Sequence, residues 1–443
     1  MRLFLLVAPF LFAAYALLTP PFQTPDEHEH LFRAWQLSQG QLIGTRRGGE
    51  AGGVLPDSLG RAAQPELGSL KPHALRPVVR RPFADSFKPG TPITSGAPPR
   101  FYNFIGSVIY SPVGYAPQVA AIFLGKAAGL SVENIIRLGR LLNAALAIGL
   151  IYWSLRIATI GRLALLWVGF LPMTAATSSS FGQDGLIIGS ACVLTALGVR
   201  KLSASRWTLK ELFLSAVFTV VLTVSKFVYL PLAMIAGAPF VERRFEVRRL
   251  AVPLMISLFA GVLAVAWIRA VSGVTLPAFS NAPPPLERFA TWALNPQEPL
   301  LLLERTYIFH GRAVAMSLFS FGWQNIWGGR VVEYSSLLSA CVVLLAGDPA
   351  ANALKWQSRL WLLAIAAVIT LLISIALLLY FSPLDSNWIQ GLQGRYFIPI
   401  APAVFVALLR RRSSAARYAF AVPLMMIVGN LFALRVIGAT FYS

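Results

Sequence analysis

Residues 24–33 contain the side chains best suited to acid–base chemistry in this sequence. Asp26, His30 and Arg33 stand at positions i, i+4 and i+7, so a helix would present them on one face, with Glu27 beside His30. A carboxylate placed there could accept the proton of a hydroxyl group as a general base, and a guanidinium could bind phosphate oxygens. Asp26 and Glu27 are therefore candidate catalytic residues, and His30 and Arg33 are candidates for positioning an acceptor or a phosphate.

The same residues also fit a purely structural role. Thr24 could be the N-cap of a helix, with Pro25 at N1 and Glu27 at N3 completing a capping box. In that interpretation the acidic side chains only stabilise the helix N-terminus and its dipole. The run His28-Glu29-His30 differs from the His-Glu-x-x-His zinc motif, because its two histidines face different ways on a helix. Whether a divalent cation binds here stays open.

A second candidate group lies near the other end of the chain, at Gly394-Arg395-Tyr396. Arg395 is a basic residue between two apolar runs. The planar guanidinium can bind two oxygens of a lipid phosphate at once, which predicts a phosphate-binding role for Arg395 and Tyr396. The alternative is an interfacial anchor, in which the arginine reaches toward water and the tyrosine belongs to the aromatic belt.

Three further polar residues border apolar runs. Asp184 opens one run, and Lys226 stands between two runs with Tyr229 one turn further on. Ionisable residues at such positions are costly in a membrane and are functional candidates by default. We expect Asp184 to position an acceptor or a phosphate, and Lys226 and Tyr229 to join the phosphate-binding group. Alternatively, Asp184 caps a helix and Lys226 only reaches the membrane interface.

Residues 304–327 hold more polar and aromatic side chains. Glu304, Arg305, His310 and Arg312 precede an aromatic run at residues 321–327. Aromatic faces with polar neighbours suit sugar rings, but such residues are more often interface anchors. No individual role is assigned to them.

The composition predicts what must position these residues. Of 443 residues, 56% are hydrophobic and 13% are charged, with a mean hydropathy of +0.65. Soluble domains carry about 25% charged residues, so this composition indicates a polytopic membrane protein. The net charge of +20 would suggest nucleic acid in a soluble protein, but here the basic residues form short clusters between apolar runs. Such clusters are typical of cytoplasmic loops, and no nucleic-acid partner is expected.

Eleven apolar segments are predicted to span the membrane as helices. They cover residues 2–19, 137–156, 162–180, 184–200, 209–225, 227–240, 250–270, 331–346, 359–381, 396–410 and 417–438. The prediction is an all-α fold with residues 1–443 in one integral membrane domain.

The apolar segment 101–130 is ambiguous, because Pro112, Gly114 and Pro117 interrupt it. If it crossed the membrane, nearly all the basic clusters would move outside, against the positive-inside rule. It is therefore predicted to contain a helix at the outer interface. Residues 20–136 then form a first outer loop with interfacial helices, and residues 271–330 form a second. Within the first loop, residues 44–99 are rich in Gly, Pro and Arg and are expected to be irregular.

The chain resembles a bacterial integral-membrane family catalogued as domain of unknown function 2142, which in turn looks like a branch of the GT-C glycosyltransferase superfamily. The resemblance rests on short motifs in order along the chain: Pro25-Asp26-Glu27 with His30 and Arg33; Ser111-Pro112 with Tyr115 and Pro117; Arg140 with Asn143; Pro172-Met173 with Ser180 and Asp184; Lys226 with Tyr229 and Pro231; Phe321-Gly322-Trp323; and Gly394-Arg395-Tyr396-Phe397.

This resemblance implies a GT-C-like helical bundle whose donor is a sugar on polyprenyl phosphate. Asp26 would take the role of catalytic base, with Glu27 as its nearest substitute. Asp184 matches the second acidic position of the superfamily, and Arg395 is the candidate for the donor phosphate. Some GT-C enzymes use a divalent cation and others none, so metal dependence stays open.

The expected function is an inverting glycosyltransferase in the bacterial inner membrane, with its active site facing outside. Its partners would be the lipid-linked donor, membrane lipids, and a glycan, lipid or protein acceptor. One alternative is a transporter or translocation component for lipid-linked glycans, which the absence of visible internal repeats disfavours. Another is a ligase-like or polymerase-like enzyme that uses a lipid diphosphate donor.

Overall fold

A computed structural model describes residues 1–67, 80–88, 90–93, 98–203, 207–237, 240–241, 244–245, 248–277, 284–411 and 413–443, and these are mostly helical. The helices are α1 Arg2–Leu18, α2 Glu27–Ser38, α3 Asp57–Leu67, α4 Ala116–Ala127, α5 Val132–Ile157, α6 Arg162–Phe170, α7 Pro172–Ser178, α8 Asp184–Ser203, α9 Leu209–Ser225, α10 Arg248–Val271, α11 Pro285–Leu294, α12 Gln297–Phe309, α13 Gly311–Met316, α14 Gly329–Ala346, α15 Trp356–Phe381, α16 Ala401–Leu408 and α17 Ala421–Phe441. The strands are β1 Thr45–Arg47, β2 Glu50–Leu55, β3 Arg100–Asn103, β4 Phe240–Val241, β5 Arg244–Phe245, β6 Ser320–Phe321 and β7 Ile326–Trp327.

Six helices of the described residues are long and apolar enough to cross a membrane: α5, α8, α10, α14, α15 and α17. Each matches one of the eleven predicted spans. The other five predicted spans coincide with shorter or broken helices. Helices α1 and α9 have 17 residues each, and segment 162–180 divides into α6 and α7 where Pro172 interrupts the helix. The remaining two begin as the 3-10 helices Phe227–Gly237 and Gly394–Ile400.

The outward surface of the helices is apolar, as a lipid environment requires. On α10 the side chains of Met255, Leu258 and Val265 are 61%, 71% and 65% exposed. A water-soluble protein rarely leaves a continuous face of this kind uncovered. The chain is therefore a multi-pass membrane protein.

The connections between helices gather at two ends of the bundle. At one end, which we call the basic end, the carboxylate of Asp348 accepts the backbone N–H of Gly161, and Arg359 donates to the carbonyls of Ala407 and Leu409. This end joins α5 to α6, α14 to α15 and α16 to α17. The opposite end, which we call the cavity end, carries the sheet of β1, β2 and β3 together with α2, α3 and α4.

Part of segment 44–99 is ordered, so the expectation of an irregular chain was wrong there. Strands β1, β2 and β3 form an antiparallel sheet in which Gly52 pairs with Asn103 and Gly53 with Tyr102. A β-carbon on Gly52 would lie 1.8 Å from the carbonyl oxygen of Tyr102. The glycines that suggested a loop thus permit close approach within a sheet. Residues 68–79, 89 and 94–97 of this segment lie outside the described residues.

Segment 101–130 holds the end of β3, a 3-10 helix at Pro112–Tyr115, and α4. Helix α4 has 12 residues, a length of about 18 Å, which is too short to cross a bilayer. It packs against α2 and α5. Its placement at a membrane interface stays a prediction.

The capping box that the structural alternative offered for the start of α2 is not formed. The helix begins at Glu27, and its N-cap is Asp26, which has the left-handed angles φ 57 and ψ 15 and makes no capping hydrogen bond. The hydroxyl of Thr24 has no hydrogen-bond partner among the described residues. The carboxylate of Glu27 instead accepts the backbone N–H of Phe22, because the chain turns back there before the helix starts.

Candidate active site

A solvent-open cavity lies at the cavity end of the bundle. It lies where two apolar clusters meet, one formed by the helical bundle and one by α2, the sheet and α4. Six of the nine predicted site residues line it: Asp26, His30, Asp184, Lys226, Arg395 and Tyr396. The other three, Glu27, Arg33 and Tyr229, do not line the cavity. They form hydrogen bonds with segments that do.

Asp26 presents an unpaired carboxylate to this cavity. Its side chain is exposed and has no hydrogen-bond or ion-pair partner among the described residues. The left-handed backbone of Asp26 is uncommon outside glycine, and strained positions of this kind concentrate at functional sites. Gln324, which has φ 65, is a second such residue on the cavity wall. The local backbone thus holds a carboxylate without a hydrogen-bond partner at the cavity.

Asp184, which also lines the cavity, lies between two cations. Lys226 Nζ lies 2.9 Å from Asp184 Oδ1, and Arg395 Nη1 lies 3.9 Å from Asp184 Oδ2. The ring centroid of Tyr396 is 5.4 Å from Lys226 Nζ and 5.6 Å from the guanidinium carbon of Arg395. Asp184, Lys226 and Arg395 together carry one net positive charge, and Asp26 adds one negative charge to the wall of the same cavity. An anionic ligand is therefore favoured close to the two cations and not throughout the cavity.

Breaks in the helices position the two cations. Lys226 is the extended residue that ends α9, and Arg395 is the second residue of the 3-10 helix Gly394–Ile400. The hydroxyl of Tyr229 donates to the carbonyl of Tyr396 at 2.9 Å. Tyr229 is not a lining residue of the cavity, and its hydroxyl fixes the backbone of Tyr396, which is one.

His30 is held as a neutral imidazole. Its Nδ1 lies 2.7 Å from the hydroxyl of Tyr115, and its ring stacks against Tyr110 with a centroid distance of 6.1 Å. Burial lowers the pKa of His30 to about 4, with Lys226 and Arg395 acting in the same direction and the carboxylates of Asp26 and Asp184 acting against it. A neutral imidazole at the cavity wall can accept or donate a hydrogen bond without adding charge.

This shifted pKa predicts how His30 contributes to acid sensitivity. The unfolded chain takes up a proton on His30 near pH 6.5, whereas the folded protein does so only near pH 4. Stability from the neutral imidazole is therefore lost as the pH falls from 6.5 toward 4. We expect the apparent melting temperature in detergent to fall more between pH 7 and pH 5 for the wild type than for His30→Gln. Equal losses in the two proteins would contradict this assignment.

Arg33 lies outside the cavity, contrary to the predicted shared face. Its fully buried guanidinium donates to the carbonyls of Tyr110 and Leu42 and to the side chain of Gln36. Tyr110 lines the cavity, so Arg33 acts on the site by holding that segment. Other segments of this same chain, at Leu42 and Tyr110, cover the face of α2 that Arg33 occupies. The helical periodicity of α2 alone could not show this.

Glu27 forms a buried ion pair with Arg140 of α5, with both side chains 0% exposed. Arg140 donates from Nε and Nη2 to Glu27, and its remaining donors reach the carbonyls of Ala16, Thr19 and Pro20. Arg140 thus caps the carboxyl end of α1 while neutralising the acid at the start of α2.

Both carboxylate oxygens of Glu27 accept hydrogen bonds. Besides those of Arg140, they accept the backbone N–H groups of Phe22 and Phe181. The pair therefore links α1, α2, α5 and the connection between α7 and α8. Helix α8 begins with Asp184. Sequence reasoning assigned no role to Arg140, although an arginine inside an apolar run is itself a signal of a specific partner.

The residues do not form a metal site of three carboxylates. Asp26 and Asp184 line the cavity, but Glu27 is engaged by Arg140. Among the described parts of the chain, no group of three or more His, Cys, Asp or Glu side chains is placed to hold a metal ion.

The hairpin of β6 and β7 forms another part of the cavity wall. Phe321, Gly322 and Gln324 line the cavity, and the indole N–H of Trp323 donates to the carbonyl of Phe22 at 3.0 Å. Glu304, Arg305, His310 and Arg312 are not among the lining residues. The aromatic run thus holds the hairpin against the loop that precedes Asp26.

Comparison with known proteins gives a match to a protein family. No curated protein and no solved structure matches it. A family model described as "Predicted membrane protein (DUF2142)" matches residues 9–404, which include the cavity residues from Thr19 to Tyr396. The chain therefore belongs to the DUF2142 family of predicted membrane proteins.

Proposed function

We propose that this protein is an inverting glycosyltransferase of GT-C type that takes a sugar from polyprenyl phosphate. One observation carries the proposal: the unpaired carboxylate of Asp26 shares a single cavity with the cations Lys226 and Arg395. Transfer of a sugar from a phosphate needs a base for the incoming hydroxyl and positive charge for the departing phosphate. The cavity supplies both.

The order of the connections supports eleven crossings of the membrane. Asp184, Lys226 and Arg395 each follow a helix that returns to the cavity end, and Gly161, Asp348 and Arg410 each mark a turn at the basic end. The short helices α6–α7, α9 and α16 therefore run between the two ends like the long ones. The positive-inside rule then assigns the basic end to the cytoplasm and the cavity end to the outside.

In the proposed reaction, Asp26 takes the proton of an acceptor hydroxyl as its oxygen attacks the anomeric carbon. The bond between that carbon and the phosphate oxygen breaks, and its electron pair stays on the departing polyprenyl phosphate. Arg395 and Lys226 stabilise the charge that develops there, while Asp184 keeps the two cations side by side. Attack opposite the leaving group inverts the anomeric carbon. The acceptor would be a glycan, lipid or protein of the cell envelope.

The test uses the purified protein in nanodiscs. A series of polyprenyl-phosphate donors, each with a labelled sugar, is supplied, and the transfer of the label to acceptors is measured. We expect Arg395→Gln to lower kcat by about 10²–10³-fold, because a charge-stabilising donor is lost. Arg305→Gln is the matched control, since that guanidinium contacts Asn387 outside the cavity.

The same preparation distinguishes a transporter from an enzyme. In sealed proteoliposomes, a translocation component would move the labelled lipid between leaflets without forming a glycosidic bond. That result, with the Arg395 variant impaired only in movement, would overturn the glycosyltransferase proposal.

A further inference from the structure

We propose that α11 and α12 form an arm that lies in the lipid leaflet on the cavity side of the membrane, with its exposed apolar side chains in contact with acyl chains. The proposal concerns an interaction surface and does not depend on the reaction assigned to the cavity.

The arm exposes large apolar side chains. Phe289 and Leu294 on α11 are 62% and 90% exposed, and Leu300, Ile308 and Phe309 on α12 are 63%, 65% and 73% exposed. In water such a surface would mark an interaction site. Its depth along the bundle indicates which partner covers it.

Contacts with α15 show that the arm reaches membrane depth. The hydroxyl of Tyr307 lies 2.8 Å from Ser374 Oγ. Ser374 precedes the end of α15 by two turns, which is roughly 10 Å along the helix axis. Helix α15 is one of the candidate spans. A side chain of α12 that reaches this level places the arm beside the bilayer and not above it.

The polar residues of the arm follow the order expected at a membrane surface. Arg305 contacts Asn387 at 3.4 Å, and the ring of His310 lies against that of Trp388 at a centroid distance of 4.5 Å. Asn387 and Trp388 both belong to the connection that follows α15. The buried Arg288 donates to the carbonyl of Ser382 at the end of α15. Arginine and tryptophan beside exposed aliphatic and phenyl groups are typical of an interfacial helix in lipid.

The arm is joined directly to the segment that carries Arg395. After α12, α13 leads to Ser317, whose Oγ accepts the backbone N–H of Gly394 at 2.7 Å. A β-carbon on Gly394 would lie 2.9 Å from the carbonyl oxygen of Val314. Because the fit at Gly394 is close, a shift of the arm in lipid would also shift the backbone next to Arg395.

The test uses a fluorescent label at single cysteines in protein reconstituted in nanodiscs. Phe309→Cys is placed in a Cys341→Ala background, because the other cysteine, Cys192, is buried. Leu42→Cys is the control, since Leu42 is 53% exposed in the connection between α2 and β1. We expect lipids with a doxyl group on the acyl chain to quench most of the fluorescence at position 309 and to leave position 42 unchanged. Aqueous iodide should show the reverse pattern.

Two outcomes would overturn the proposal. Quenching of position 309 by iodide but not by doxyl lipid would place the arm in water. Protection of position 309 from both quenchers would indicate cover by another protein or a second copy of this chain. Leu294→Cys provides a second site should the first variant fail to fold, and the same pattern is expected there.

Discussion

Asp26→Asn is expected to lower sugar transfer by about 10²–10⁴-fold, the usual contribution of a general base. The amide cannot take the proton of the acceptor hydroxyl, while its size is unchanged. Asparagine also tolerates the left-handed backbone that Asp26 adopts, so the fold should be retained. The measurement is the rate of transfer from the donor identified in nanodiscs, with wild type and variant at equal concentration.

Glu29→Gln is the matched control for this experiment. Glu29 lies on the same helix and is not a lining residue of the cavity. Burial and then the nearby charge of Asp26 raise the pKa of Glu29 to about 8, against the opposing effect of the N–H groups of Gly106 and Ser107. The side chain is therefore mostly protonated at pH 7, and a glutamine should preserve activity. Wild-type transfer by Asp26→Asn would remove Asp26 from the role of base.

Breaking the pair of Glu27 and Arg140 is expected to cost about 3–5 kcal/mol of stability, because the remaining charge is buried without its partner. Glu27→Gln and Arg140→Met should each lower the unfolding temperature strongly in detergent, as followed by size-exclusion chromatography after heating. The combined variant should lose less than the sum of the two single losses, since neither charge is then left alone.

This experiment separates a structural role for Glu27 from a catalytic one. A structural role predicts that transfer declines together with the amount of folded protein. If Glu27→Gln kept wild-type stability and still lost transfer, Glu27 would act in the reaction, as the spacing of residues first suggested.

Glu27 shows where sequence reasoning could not decide. Asp26 and Glu27 are adjacent acids, and local spacing favours both equally. Their separation into an exposed acid and a buried ion pair depends on Arg140, which lies on a different helix. Arg33 and Tyr229 were likewise selected for plausible chemistry, but their contacts with the carbonyls of Tyr110 and Tyr396 arise only when distant segments meet.

Hydropathy and charge alone determined that this is a helical membrane protein, because long apolar runs leave the backbone few ways to satisfy its polar groups in lipid. Helix-face spacing singled out Asp26, and the cost of ionisable groups beside apolar runs singled out Asp184 and Lys226. The tertiary structure decided which of the candidates share one cavity. Burial and ion pairing join residues far apart in the chain, whereas sequence periodicity reports only on neighbours along a single helix.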